Sequence, residues 1–334
     1  MNAVYTIALD KNGDTRLRQA RLMIQSLKIS GWTGGIFLIT NHAVEIEGVS
    51  IIKRSFDGKP LTACRLRFSV CNILPIDDYK WWVYLDTDII IRSDMNRYLG
   101  DDHDWAVTEC WGRNMWSHSA FGGHLPDEAK EVACRRKGIQ SGHLAIQSRC
   151  MRQLLKRWSE IDKGKGRPRF KKHDQTSQNA LVWECEVGRS PWVTKILPAF
   201  FAVAPHNEQL SKLGRERSMG GVLWHYWGYR NQEWRIELME REVAALVRDP
   251  IESGIVGDWE HIKQSENINN IWSFDPYGRV FVDSGLIGTW SKVGNNIKVS
   301  WDFDGWERLP EPNNARSLVG ESSTRDILEM TKIL

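Results

Sequence analysis

The stretch Trp82-Val83-Tyr84-Leu85-Asp86-Thr87-Asp88-Ile89-Ile90-Ile91 limits the possible folds of this chain more than any other. Two short apolar runs flank a pair of aspartates, and runs of this length and composition read as strands buried on both faces. A strand buried on both faces needs a layer of other elements on each side, which points to an α/β domain. The surrounding pattern agrees. Val4 to Leu9 is a β-rich run followed by the loop Asp10 to Asp14, and Leu17, Ala20, Leu22, Ile24 and Leu27 then recur at helical spacing. Ile36–Ile39 and Val49–Ile52 read as further strands, Leu61 to Leu74 as a helix stopped by Pro75, and Trp105–Thr108 and Leu144–Ile146 as strands before a helix from Met151 to Ile161. This alternation predicts a mostly parallel sheet flanked by helices over residues 1–250.

At a strand end, residues two apart point the same way, so Asp86 and Asp88 can converge on one point while Thr87 faces away. Two hard carboxylate oxygens presented together suit Mg²⁺ or Mn²⁺, with phosphate oxygens completing the sphere. His225, in the aromatic segment Trp224-His225-Tyr226-Trp227-Gly228, comes late in the α/β region, where a third ligand can be delivered to the pair. A lone histidine in apolar company is also a common structural residue, and two aspartates at a strand end need not bind anything.

Composition excludes several classes. A formal net charge of +3 over 334 residues argues against a nucleic-acid partner. No apolar run approaches the roughly 20 residues needed to span a bilayer, and the N-terminus lacks a basic flank and an apolar core, so the expected location is cytoplasmic. The six cysteines (Cys64, Cys71, Cys110, Cys134, Cys150, Cys185) form no CxxC pair and read as reduced thiols. Most of the 17 tryptophans are expected in the core. Lys163 to Lys172 reads as a basic loop or a flap over an anionic ligand.

Beyond residue 250 the pattern changes. Ser253-Gly254-Ile255-Val256-Gly257-Asp258-Trp259 recurs as Ser284-Gly285-Leu286-Ile287-Gly288-Thr289-Trp290. Residues 251–310 are expected to form a small antiparallel β module, too short for a large closed barrel. Residues 311–334 are expected to be a tail with a short helix started by the capping box Ser323-Thr324-Arg325-Asp326. The tryptophans of the module (Trp259, Trp272, Trp290, Trp301, Trp306) read as its core or as a carbohydrate-binding face.

Tyr84-Leu85-Asp86-Thr87-Asp88 and His225-Tyr226-Trp227-Gly228 resemble the Y-L-D-x-D and H-x-x-G motifs of the retaining glycosyltransferases of family 8, which include glycogenin-like and bacterial galactosyltransferase-like enzymes. Asp174-Gln175 with Asn179 resembles the family's D-Q-D-x-L-N, although Thr176 and Gln178 replace its third and fifth residues. The resemblance covers roughly residues 3–235. It implies a GT-A fold and a divalent metal, Mn²⁺ or Mg²⁺, held by Asp86, Asp88 and His225. It also implies transfer of a hexose from a nucleotide-diphosphate sugar, with UDP as carrier, to a carbohydrate, lipid-linked sugar or protein acceptor. Asp174 and Gln175 would be the catalytic pair, Asp174 bonding the donor sugar and Gln175 lying beneath the anomeric carbon. Arg65, with Arg67 as the alternative, would reach the donor, and Gly228 would allow approach to phosphate. Gln140-Ser141-Gly142 stands where the family shows N-A-G, and Glu109 where it has a sugar-binding aspartate. Arg230 would supply the charge of an absent lysine, and Ala8, Leu9 and Asp10 fall where base and ribose sit.

The resemblance favours retention of anomeric configuration, while Asp174 acting as a general base would allow inversion. A dehalogenase-type phosphatase also uses D-x-D, but normally after its first strand. A non-catalytic nucleotide-sugar or carbohydrate-binding protein is the reading of another class, and metal-dependent donor turnover separates it from an enzyme.

Overall fold

The computed structural model describes residues 1–92, 94–118, 121–164, 174–197, 201–203, 223–226 and 231–246, and the strands between 257 and 332. Two compact units are present, Met1–Ala202 with Val222–Val243, and Val203–Gly221 with Ala244–Leu334.

The first part of the chain runs β1 (Asn2–Ala8), α1 (Thr15–Ile29), β2 (Gly35–Thr40), β3 (Ser50–Lys53), α2 (Pro60–Leu66), β4 (Trp81–Leu85), β5 (Ile89–Ile91), β6 (Trp105–Asn114), α3 (Lys130–Arg135), β7 (Lys137–Gln147), α4 (Ser148–Lys163), α5 (Asp174–Glu186), β8 (Thr194–Leu197), β9 (Ala202–Val203), β10 (Leu223–His225) and α6 (Gln232–Leu246). The main sheet has the order β3-β2-β1-β4-β7-β6-β8. Strands β1, β2, β3 and β4 are mutually parallel, whereas β7 runs antiparallel between β4 and β6. After β1 the chain builds outward through β2 and β3, then returns to place β4 on the other side of β1. Ligands of open α/β sheets bind at the carboxyl ends of strands where the order reverses in this way, here just beyond Ala8 and Leu85.

Both faces of the sheet are covered, as the continuous apolar strands require. Tyr5, Trp82 and Tyr84 pack with Met151, Leu154, Trp158 and Leu181 of α4 and α5 on one side. Val4, Leu38, Trp81 and Val83 pack with Leu17, Ala20, Met23 and Leu27 of α1 on the other. Trp81, Trp82, Trp105 and Trp158 are fully buried.

One helix differs from the reading of the sequence. Leu61 to Leu74 is not a continuous α-helix: α2 ends at Leu66 and continues as a 3₁₀ turn over Arg67–Asn72. Arg67 Nε and Ser69 Oγ donate to the carbonyls of Cys64 and Leu66, three residues back, and this tightens the turn.

The C-terminal strands are β11 (Gly257–Lys263), β12 (Ile268–Phe274), β13 (Arg279–Val282), β14 (Ile287–Val293), β15 (Asn296–Trp301), β16 (Trp306–Pro310), β17 (Ser317–Ser322) and β18 (Ile327–Lys332). They form a closed antiparallel barrel in sequential order, with β18 pairing back onto β11. This corrects two expectations. The module does close, and residues 311–334 do not form a helical tail but supply the two strands that complete the barrel. The backbone groups of this segment pair between strands, Leu318 with Met330 and Gly320 with Leu328, where a helix would satisfy them within the segment. The capping box itself, Ser323–Asp326, lies outside the described residues.

The two copies of the sequence repeat lead into β11 and β14. Ile297 and Val299 on β15 are fully buried. Trp290 is paired with Val299, Gly288 with Trp301, Val280 with Gly288, Trp272 with Val282 and Trp259 with Trp272. Trp306 is paired with Ser300.

Candidate metal centre

Each residue of Asp86-Thr87-Asp88 is fixed by a different element. The Asp86 N–H donates to the Gly142 carbonyl of β7 (2.8 Å), and the Tyr226 N–H to the Asp88 carbonyl (2.8 Å), extending the β5–β10 pairing of Ile89 with His225. The Thr87 hydroxyl, buried on the far side, donates to Gln19 Oε1 of α1 at 3.1 Å. With the backbone held this way, both carboxylates face His225. Its Nε2 lies 3.6 Å from Asp86 Oδ2 and 3.3 Å from Asp88 Oδ1. One ligand atom from each of the three residues lies within 4.8 Å of the others, the span of a single coordinated ion.

Hydrogen bonding sets the imidazole for this role. Gln140 Nε2 donates to the carbonyls of Ala202 (3.1 Å) and Glu109 (3.4 Å), so Gln140 Oε1 is the end that meets His225 Nδ1 at 3.1 Å. Nδ1 therefore carries a proton, and Nε2 is the nitrogen presented to the carboxylates. Orientation of a ligating imidazole through its other nitrogen is the usual arrangement around bound metals. Burial opposes charging of His225, but Asp88 and Asp86 outweigh it and raise its pKa. Burial would likewise raise the Asp88 carboxyl, but the hydrogen bond and charge of His225, together with Arg235, hold it below the usual carboxylate range. A proton on Nε2 and a divalent cation thus compete for the same position.

Gly142 permits this geometry. A Cβ there would lie 2.2 Å from His225 Cε1 and 3.0 Å from Asp86 Oδ2, so a side chain would displace the imidazole. Tyr84, whose phenol is kept protonated by burial and by Asp86, donates to Asp86 Oδ1 at 2.5 Å. The donor set, two carboxylates and one imidazole with room for exogenous oxygens, fits a divalent cation such as Mn²⁺ or Mg²⁺.

Beside the centre, Arg67 is buried and makes an ion pair with buried Asp174 at the start of α5. Its second nitrogen donates to the Ser141 carbonyl (2.7 Å), and its guanidinium lies 4.6 Å from the Tyr84 ring centroid. The Ser141 hydroxyl donates to Gln175 Oε1 at 3.3 Å. Asn179 bonds both the N–H and the carbonyl of Ile139 (2.8 and 2.9 Å), as a neighbouring strand would. Asn179 thereby docks α5 against β7 one residue before Gln140. The structure thus brings Asp86, Asp88, His225, Gln140, Ser141, Gly142, Asp174 and Gln175 together.

Other expected site residues are engaged elsewhere. Arg65 pairs with Asp162 of α4 at 2.9 Å, its side chain half exposed, whereas the alternative, Arg67, is the one that lies beside Asp174 and Ser141. Two residues apart within one helical turn, the two side chains project to different sides, and only one can face β7. Ala8 and Leu9 are buried at the end of β1. The Asp10 carboxylate accepts from the N–H groups of Arg16 (2.9 Å) and Leu17 (3.2 Å), capping α1, and meets His42 Nε2 at 2.9 Å. Glu109 lies 3.6 Å from Lys137 Nζ. Gln140 orients His225. Gly228, Arg230 and most of the basic segment Lys163–Lys172 lie outside the described residues.

Two basic residues were not anticipated. Arg235 on α6, almost fully buried, places NH1 2.5 Å from Asp88 Oδ2. Arg92, directly after β5, pairs with Glu242 of α6 at 3.2 Å and lies 3.7 Å over the Trp224 ring.

No protein-family profile and no curated protein matches the sequence. Solved structures do. An active-site mutant of LgtC is 15% identical with a TM-score of 0.50, over 74% of this chain and 97% of that one. The galactosyltransferase LgtC in complex with donor and acceptor sugar analogues is 16% identical with a TM-score of 0.49, over the same shares. The glycosyltransferase GlyE of Streptococcus pneumoniae TIGR4 is 13% identical with a TM-score of 0.48, over 73% of this chain and 62% of that one. The fold of the α/β part is the GT-A glycosyltransferase fold: a mostly parallel mixed sheet flanked by helices. Among the described residues, no helix is long and apolar enough to cross a membrane.

Proposed function

We propose that this chain is a metal-dependent glycosyltransferase that moves a hexose from a nucleotide-diphosphate sugar, with UDP as carrier and Mn²⁺ or Mg²⁺ as cofactor, onto a carbohydrate, lipid-linked sugar or protein acceptor. The observation that carries this reading is the gathering of Asp86, Asp88 and an Nδ1-protonated His225 at the carboxyl end of β4, where the strand order reverses. When bound there, the cation would neutralise the diphosphate and stabilise it as a leaving group.

The chain's own residues supply the rest. Thr87 and the backbone bonds of Asp86 and Asp88 hold the carboxylates in register, Gln140 turns the imidazole, and Gly142 leaves space for it. Arg67 fixes Asp174 and the Ser141 carbonyl, and Ser141 in turn holds Gln175. Asp174 is thus engaged by a buried guanidinium and is poorly placed to take a proton from an acceptor, which supports transfer with retention over an inverting reaction with Asp174 as base. The further role of Gln175, facing the anomeric carbon of the donor, rests on the resemblance of the Asp174-Gln175 motif.

The test is a panel of nucleotide sugars scored by released nucleotide. UDP-hexose turnover that EDTA abolishes and Mn²⁺ restores is expected, and ¹H NMR of the first-formed product should show the donor's anomeric configuration. Turnover unaffected by EDTA, or binding of donors without any turnover, would overturn it, the latter in favour of a sugar-binding protein.

A further inference from the structure

We propose that Arg235 leaves the cation site deliberately short of negative charge, so that a divalent ion binds strongly only together with a diphosphate. The proposal rests on the metal-dependent reading above and deepens it. Asp88 Oδ2 is taken by Arg235 NH1 at 2.5 Å, so only Oδ1, the oxygen facing His225, remains to meet an ion. A guanidinium does not deprotonate in a protein, so it cancels one of the two carboxylate charges permanently. With a neutral imidazole as third ligand, the protein offers a net single negative charge to a doubly charged cation. A nucleoside diphosphate brings the missing charge and oxygen ligands.

Arg235 cannot easily withdraw. Its side chain is 6% exposed, and the helix that carries it is tied down along its length. Gln232 accepts from Gln19 at 3.2 Å, Glu233 pairs with Arg18 at 2.8 Å, and Glu242 pairs with buried Arg92. Gln19 is the same residue that holds Thr87, so α6 and the Asp86-Thr87-Asp88 turn share an anchor on α1. The guanidinium is therefore a built part of the centre rather than a surface counter-ion. Its consequence is economy of binding: free metal is held weakly, and the metal–diphosphate pair is held as one ligand.

The experiment is a Mn²⁺ titration of the full chain, followed by loss of the free-ion electron paramagnetic resonance signal, with and without UDP as the probe. The wild-type chain should bind Mn²⁺ at least about tenfold more tightly with UDP, the order expected for one added charge near a dication in partly screened surroundings. Arg235→Gln, which can still donate to Asp88, should bind nucleotide-free Mn²⁺ about tenfold more tightly than wild type and show a smaller gain from UDP. Arg235→Lys should retain the wild-type gain. Equal wild-type affinity with and without UDP overturns the proposal even if the Gln variant does not fold. An Arg235→Gln variant with unchanged or weaker nucleotide-free binding overturns it too, as does an Arg235→Lys variant that behaves like Gln. Absence of Mn²⁺ binding under both conditions would instead sink the metal-dependent reading itself.

Discussion

The two halves of the site are held in place by opposite means. Around Asp86, Asp88 and His225 the positioning is done by backbone pairing: β4 against β7, β5 against β10, and the Asp86 and Tyr226 N–H groups on opposite neighbours. Around Asp174 and Gln175 it is done by side chains, with a buried Arg67–Asp174 pair, the Ser141–Gln175 hydrogen bond and the Asn179 clamp on Ile139. A centre fixed by its backbone keeps its shape when a ligand side chain is removed, so such a change should cost chemistry and leave stability almost intact. A centre fixed by a buried charge pair should lose stability as soon as one partner goes, because the other is left unpaired.

That contrast can be broken experimentally. His225→Ala should lower metal-dependent transfer by about a thousandfold, the several kcal/mol of charge stabilisation that a metal supplies, with the thermal midpoint little changed. Steady-state rates beside a melting curve check both halves of that statement. Arg67→Met should do the reverse in kind, destabilising the fold by about 3–5 kcal/mol in denaturant unfolding, whereas Arg65→Met, which removes a half-exposed guanidinium and leaves buried Asp162 the Ser177 hydroxyl as a partner, should cost about 1 kcal/mol. Equal losses for the two arginines would mean that the buried pair carries no special weight. Gly142→Ala, which drives a methyl group into the His225 ring, should weaken Mn²⁺ binding by about a hundredfold while the far-ultraviolet circular dichroism stays unchanged. The smallest effect is expected for Gln140→Leu, which frees the imidazole to turn and should weaken Mn²⁺ binding by about tenfold. A loss as large as that of His225→Ala would make Gln140 more than an orienting residue.

The same contrast explains what could be read from the sequence. The metal half was legible because its parts follow local rules: apolar runs name the strands, the period of two aligns Asp86 with Asp88, and an aromatic-embedded histidine is easily singled out. Local pattern cannot say which of Arg65 and Arg67 faces β7, because the helix tightens into a 3₁₀ turn between them. The hydrogen bond of Gln140 to His225 is invisible to motif spacing, because the two are remote in sequence. Arg235 carried no signal, since it lies on a helix whose approach to Asp88 depends on tertiary packing alone. The capping of α1 by the Asp10 carboxylate is not signalled by the sequence either, because Asp10 lies several residues before the helix it caps. In the barrel, the capping-box motif Ser323–Asp326 is a purely local signal, whereas the closing pair of β18 with β11 joins residues far apart in the chain.

The most direct test of the central claim is anomalous diffraction from crystals grown with Mn²⁺ and UDP, recorded at wavelengths on either side of the manganese edge. A single manganese peak within about 2.5 Å of oxygens from both Asp86 and Asp88 and of His225 Nε2, touching the diphosphate, is the predicted result. Manganese bound elsewhere, or UDP seated with His225 still hydrogen-bonded directly to Asp88, would contradict it.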